Sequence, residues 1–183
     1  MSTSLRLDID DYEQMIANGA FVGIERRLEF IHGEIREMSP AGPYHYDCIG
    51  FLNRWSNSKT TAAEASIHVQ AAILLGDSLP EPDVMWLKPK RYGGQRPTAA
   101  DALLIIEVAD SSLRYDLGEK AMLYSQSAIN EYWVVDVAAH SVHRHRQPSV
   151  DGYKDVRIFE QSENLSPLCK SNAELSLAEL FSE

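Results

Sequence analysis

The sequence predicts an α/β fold: a mixed β-sheet core flanked by helices, with an N-terminal hairpin and a C-terminal edge hairpin. Three observations predict it. Around the middle of the chain the patterns run helix, strand, strand, strand, helix, strand. The segment "ALLIIEVA" is apolar on both faces, as a central strand covered on both sides should be. Two short pairs of β-compatible runs lie outside this centre, one early and one late.

Each element has a local reason. "LDIDDYEQMIANG" reads as a short helix, with Asp8 as its cap and Gly19 just past its end. "RRLEFIHGEIREMS" reads as a hairpin around a His32-Gly33 turn. "SPAGPYHYDCIGFLNRWSNSK" opens with turn residues and continues at helical spacing, with His45, Ile49, Leu52 and Ser56 on one face. "SIHVQAAILLG" alternates and then becomes wholly apolar, which predicts a strand entering the core. "LPEPDVMWLKP" predicts a turn and a strand from Asp83 to Leu87. A polar loop carrying Gly93-Gly94 separates it from "ALLIIEVA". "SSLRYDLGEKAMLYSQS" predicts a helix with Ser111 or Ser112 near its cap. "EYWVVDV" is a further strand, "SVHRHRQ" and "YKDVRIFE" an edge hairpin, and "LSLAELF" a last helical turn.

The 183 residues suit one domain, spanning 1–183. No apolar run reaches the roughly 18 residues of a membrane span, and no secretory h-region is visible, which favours the cytoplasm. Cys48 and Cys169 form neither a disulfide framework nor a zinc pattern. The net charge of −10 weighs against a nucleic-acid coat protein. It is compatible with an enzyme that meets DNA through a local basic patch and a bound cation. The absence of a GxSxG elbow and of a glycine-rich phosphate loop sets aside serine hydrolases and P-loop enzymes.

One residue stands out. Six of the seven residues from Leu103 to Ala109 are apolar, and the seventh is Glu107. If the Asp83 and Glu107 strands pair across the Lys88–Asp101 loop, both carboxylates reach one end of the sheet. By period-two alternation, Glu107 shares a face with Ile105 and Leu103, and Asp83 with Met85 and Leu87. Two adjacent buried carboxylates repel, and each loses hydration. A divalent cation between them would remove both penalties, and oxygen ligands suit Mg²⁺ or Mn²⁺. Lys120 lies on the following helix, on or beside the inward face with Leu117 and Tyr124. Two carboxylates, a lysine and a cation are the parts needed for phosphodiester hydrolysis.

The segments "PEPDV", "LLIIEVA", "YDLGEKAMLY" and "NEYWVVD" resemble the PD-(D/E)XK nuclease superfamily. More narrowly, with "EFIHGEIREMSPAGPYHYDCI" and "LSLAELF", they resemble the Uma-two family of restriction-endonuclease-like proteins. The resemblance implies a restriction-endonuclease-like core and a metal-dependent DNA endonuclease. It implies that Asp83 is the PD aspartate and that Glu107 is the acidic residue of the (D/E)XK element. The usual lysine would stand at position 109, which is Ala109; Lys120, on the helix, takes its place. Glu34 and His45 match recurrent positions of the family, Glu34 as a further metal or water ligand and His45 as a cleft or phosphate contact. The implied metal set is Asp83, Glu107 and Glu34 with Mg²⁺ or Mn²⁺.

Plainer readings stand beside these. Asp83 could cap a turn, Lys120 could pair with Asp116 on a helix surface, and Glu34 with Arg36 on a hairpin. His45 could be a satisfied core or capping histidine. His143 and His145 share a strand face, but Arg144 and Arg146 disfavour a cation there; with Lys88 to Arg96 that strand is the best basic surface. The apolar stretch around Tyr132-Trp133 is a candidate edge for a homodimer. The second functional reading is a catalytically inactive DNA-binding or protein-interaction module on the same scaffold.

Overall fold

The computed structural model describes residues 5–38 and 42–182. Helix α1 (Ile9–Ala17) starts at Asp8 in a capping box. The Asp8 carboxylate accepts from the Asp11 N–H at 2.8 Å, and Asp11 returns the contact to the Asp8 N–H at 3.2 Å. Strands β1 (Leu28–Ile31) and β2 (Glu34–Glu37) pair antiparallel. Their turn places His32 and Gly33 at φ +50° and +79°, the two positive angles that a type I′ hairpin turn requires. The expected turn over Ser39, Pro40 and Ala41 lies outside the described residues. Helix α2 (Pro43–Lys59) begins with proline at its first position and buries His45, Ile49, Leu52 and Ser56, as their spacing predicts.

The central sheet has six strands. They are β3 (Ser66–Val69), β4 (Val84–Leu87), β5 (Ala102–Ala109), β6 (Glu131–Asp136), β7 (Ser141–Ser149) and β8 (Gly152–Glu160), side by side in that order. All neighbours are antiparallel except β5 and β6. A parallel pair needs a crossover, and here it is helical: α3 (Leu113–Tyr115), a π-helical turn (Asp116–Lys120) and α4 (Ala121–Gln126). The chain ends with a small ladder, β9 (Asn164–Leu165) with β10 (Leu175–Ser176), and a last turn, α5 (Leu177–Leu180).

Two apolar layers sandwich the sheet. On one face Leu52 and Trp55 of α2 meet Trp86, Leu104 and Trp133, with ring centroids 5.2 Å (Trp55–Trp86) and 6.0 Å (Trp55–Trp133) apart. The Trp86 indole N–H donates to the Ser56 hydroxyl at 2.8 Å, which satisfies two buried polar groups at once. On the other face Ala121, Leu123 and Tyr124 cover Met85, Ile105, Tyr132 and Val134.

Four expectations need correction. "SIHVQAAILLG" is strand only over Ser66–Val69, because Gln70 turns to φ +48° and leaves the ladder. Leu103 packs with the Trp86 face instead of the Ile105 face, since the β4–β5 register shifts between Trp86 and Leu87. Tyr132-Trp133 is no edge: β6 lies between β5 and β7, and both rings are fully buried. The His–Arg strand β7 is likewise interior to β8, and its arginines are committed. Arg144 Nη2 donates to both Asp155 oxygens, at 2.9 and 2.8 Å, and Arg146 reaches Glu131 at 2.6 Å. Among the described residues no helix is long and apolar enough to cross a membrane.

The β1–β2 turn is a sensitive point. A Cβ on Gly33 would lie 2.9 Å from the Leu7 carbonyl oxygen, and φ +79° already disfavours a side chain. Gly33→Ala is expected to cost about 1–3 kcal/mol in urea denaturation. An unchanged midpoint would show that the hairpin tolerates a different turn.

Candidate active site

The β4–β5 register carries the two carboxylates together. Val84 pairs with Ile106, so the residue before β4, Asp83, comes beside Glu107. The Asp83 N–H points at Glu107 Oε2, 3.4 Å away, and the Val108 N–H donates to Asp83 Oδ2 at 2.9 Å. Both side chains are buried, Asp83 at 3% and Glu107 at 2% exposure.

Lys120 comes from the crossover. Its Nζ donates to Glu107 Oε1 at 2.9 Å and lies 3.3 Å from Glu29 Oε2. The Tyr124 hydroxyl donates to the same Glu107 oxygen at 2.7 Å. The π turn shapes this approach: the Ala121 N–H bonds back to the Asp116 carbonyl, one residue more per turn than an α-helix closes. Asp116 is therefore turned inward and buried, not paired with Lys120 on the surface. Ser112 is the N-cap residue of α3, as expected, but its hydroxyl donates to the Asp116 carboxylate in a short contact and not to a backbone N–H. Ala109, at the position of the motif's usual lysine, is buried in the apolar layer beneath.

His45, in the first turn of α2, places Nε2 3.2 Å from Asp83 Oδ2. Glu34 is not brought to this cluster. It sits at the turn end of β2, exposed, and pairs with Arg36 at 3.1 Å. The carboxylate that does arrive is Glu29 of β1, which the sequence reading missed. It is 3% exposed and accepts from the Tyr115 hydroxyl at 3.1 Å. The signal was available: Glu29 interrupts the apolar run Leu28–Ile31 much as Glu107 interrupts its strand. Glu29, His45, Asp83, Glu107, Asp116 and Lys120 line a cleft of about 540 Å³, which also carries Arg27, Arg36 and Arg114 and the carboxylates of Glu37, Asp110 and Glu119.

The charges do not balance locally. Four buried carboxylates, Glu29, Asp83, Glu107 and Asp116, surround one buried ammonium, Lys120. Burial, only partly countered by Lys120 and reinforced by Asp83, Asp116 and Glu29, pushes the Glu107 carboxyl up to about 8. Burial raises Asp116 as well. Burial opposes the Lys120 charge too, yet Glu107, Glu29 and Asp116 more than offset this and raise its pKa, so it stays an ammonium. Burial also works against Asp83 as an anion, but the His45 contact and the Val108 N–H hold it below the ordinary carboxylate range.

The donor set fits a hard divalent cation. Glu29 Oε2 is buried without a hydrogen-bond partner, and Glu107 Oε2 has only the long contact from Asp83. Among the described residues no three His, Cys, Asp or Glu side chains form a ready coordination sphere. Mg²⁺ does not need one, because it commonly uses one or two carboxylates and takes water and phosphate oxygens for the rest.

The raised Glu107 pKa sets a pH dependence. A carboxyl whose folded pKa lies above its ordinary value of 4.5 adds stability below 4.5 and loses it as pH rises through about 8. Metal-free stability is therefore expected to fall between about pH 5 and pH 8, by at most about 1.4 kcal/mol per pH unit from this group. Glu107→Gln should make that fall shallower. Denaturation midpoints with equal pH slopes in both proteins would contradict the charge surplus.

Comparisons with known proteins agree with this architecture. A crystal structure described as "a putative nuclease belonging to DUF820", from Anabaena variabilis, is similar in fold. Its TM-score is 0.76 at 17% identity, over 96% of this chain and 97% of that one. No curated protein matches the chain significantly. The family described as "Uma2: Putative restriction endonuclease" matches residues 9–178, nearly the whole sequence. The chain belongs to this Uma2 family.

Proposed function

We propose that the protein is a metal-dependent endonuclease that hydrolyses phosphodiester bonds in DNA. The observation that carries this reading is the convergence of Asp83, Glu107 and Lys120 within hydrogen-bond reach at the floor of a cleft that also carries arginines. Family membership supports the nuclease class. In this reading Asp83 and Glu107 hold Mg²⁺ or Mn²⁺, and Glu29 takes the third place that the sequence suggested for Glu34. The bound cation supplies Lewis acidity to a phosphate oxygen and to the attacking water.

The protein's own groups have separable tasks. Lys120 remains charged, so it acts as an electrostatic donor and not as a base. It stabilises the negative charge that develops on the phosphate and keeps Glu107 oriented. Tyr124 fixes the other lone pair of the same Glu107 oxygen, leaving Oε2 facing Asp83. His45 keeps Asp83 ionised and turned toward the cleft. Cation binding requires Glu107 to give up its proton, which couples metal affinity to pH. The substrate DNA is met in the cytoplasm in this account.

Asp83→Asn and Glu107→Gln are each expected to reduce Mg²⁺-dependent cleavage of plasmid DNA to background while circular dichroism stays native. Unchanged cleavage by both purified variants would sink the proposal. Lys120→Met is expected to lower cleavage about 10²–10³-fold, the scale of a lost transition-state donor. Calorimetry should still detect Mn²⁺ binding by that variant, because the carboxylates remain. A folded Lys120→Met protein with wild-type turnover would remove the lysine from the mechanism.

A further inference from the structure

We propose that Arg27 is a ligand for a phosphodiester oxygen of bound nucleic acid, held beside the acidic cluster in readiness for it. The inference rests on the nuclease reading and supplies its substrate side. Arg27 precedes β1 and lines the cleft, its side chain 30% exposed. Its Nη1 lies 3.8 Å from Asp83 Oδ1 and its Nη2 lies 3.7 Å from Glu81 Oε2. Both separations are too long for hydrogen bonds. Nη2 is buried and has no hydrogen-bond partner among the described residues.

The neighbouring arginine is different. Arg36 donates to Glu119 at 2.6 Å and to Glu34 at 3.1 Å, so its fork is occupied. Among the described residues the Arg27 guanidinium makes only the two long charged contacts, to Asp83 and Glu81. A buried N–H left unpaired costs about 1–3 kcal/mol, and a guanidinium fork matches two phosphate oxygens. A phosphate entering the cleft would supply the missing acceptor.

The carboxylates make this conditional. While Asp83 lacks a cation, Arg27 is one of its few positive neighbours, with Lys120. A divalent ion on Asp83 and Glu107 would take over that neutralisation and loosen the hold on the guanidinium. It would also lessen the repulsion that an incoming phosphate meets from Glu29, Asp83, Glu107 and Asp116. Cation and phosphate should therefore favour each other's binding, with Arg27 as the group that changes partners.

Fluorescence anisotropy with a short labelled oligonucleotide, single-stranded and duplex, in Ca²⁺ across a salt series tests this, paired with Mn²⁺ calorimetry. Arg27→Gln is expected to weaken oligonucleotide binding about tenfold or more and to lower the salt slope by about one. Its Mn²⁺ affinity should be unchanged or higher, because a competing positive charge is gone. Arg27→Lys should recover the salt slope but not the full affinity, since it restores charge without the fork. Equal oligonucleotide affinity and salt slope in wild type and Arg27→Gln would overturn the inference, as would a wild type that binds neither oligonucleotide. Wild-type Mn²⁺ binding separates the two levels. Its absence counts against the metal-dependent reading, whereas its presence without an arginine effect counts against Arg27 alone.

Discussion

The buried contact between the Lys120 ammonium and the Glu107 carboxylate is the constraint on which the rest of the site depends. Neither group could remain charged at its depth alone. A carboxylate and an ammonium taken out of water each lose several kcal/mol of hydration, and only a close, well-bonded partner offsets it. The contact at 2.9 Å does so for Lys120 and only in part for Glu107, whose carboxyl is still pushed up to about 8. The crossover helix widens into a π turn just where Lys120 must reach down to the sheet. Tyr124, just over one helical turn later, covers the same oxygen from the same helix. The helix that makes β5 and β6 parallel neighbours is thus also the element that brings the cation side chain to the carboxylates.

That single ion pair leaves the cluster acidic, and the surplus is what gives it chemistry. A structural ion pair would have been finished by one carboxylate and one lysine. Here Glu29, Asp83 and Asp116 press on the same volume, and the Glu107 proton affinity rises in response. In the proposed reading that proton is what a metal ion would displace. The cleft also carries Arg27, Arg36 and Arg114, of which Arg36 is paired with Glu119 and Glu34, next to the exposed carboxylates of Glu37, Asp110 and Glu119. In the proposed reading a strongly acidic chain meets nucleic acid through these few arginines and a bound cation.

Much of this was legible in the sequence, for physical reasons that can be named. Glu107 was visible because a carboxylate in a strand that is apolar on both faces needs an explanation. Asp83 followed from strand pairing across one loop, and the observed register places it where period-two alternation puts it. The face of α2 was readable from His45 to Ser56 because helical spacing over eleven positions is hard to produce by chance. Glu29 left the same mark as Glu107, a carboxylate interrupting an apolar run, but only over the four residues of β1, where alternation alone separates a buried carboxylate from a solvated one weakly. Glu34 drew attention in its place, yet the hairpin register leaves it at the exposed turn. The π turn was invisible for another reason: no residue type in Asp116–Lys120 marks it in the sequence. The fully buried β6 was misjudged as an edge because strand order depends on long-range pairing that local pattern does not encode.

The central claim is that Asp83 and Glu107 share a divalent cation next to Lys120. The most direct measurement is a crystal structure of the protein in Mn²⁺, with anomalous diffraction recorded at the manganese edge. The account predicts one strong anomalous peak coordinated by both Asp83 and Glu107, with Lys120 still bonded to Glu107. An occupied manganese site elsewhere, with these two carboxylates bound only to Lys120, His45 and Tyr124, would contradict it.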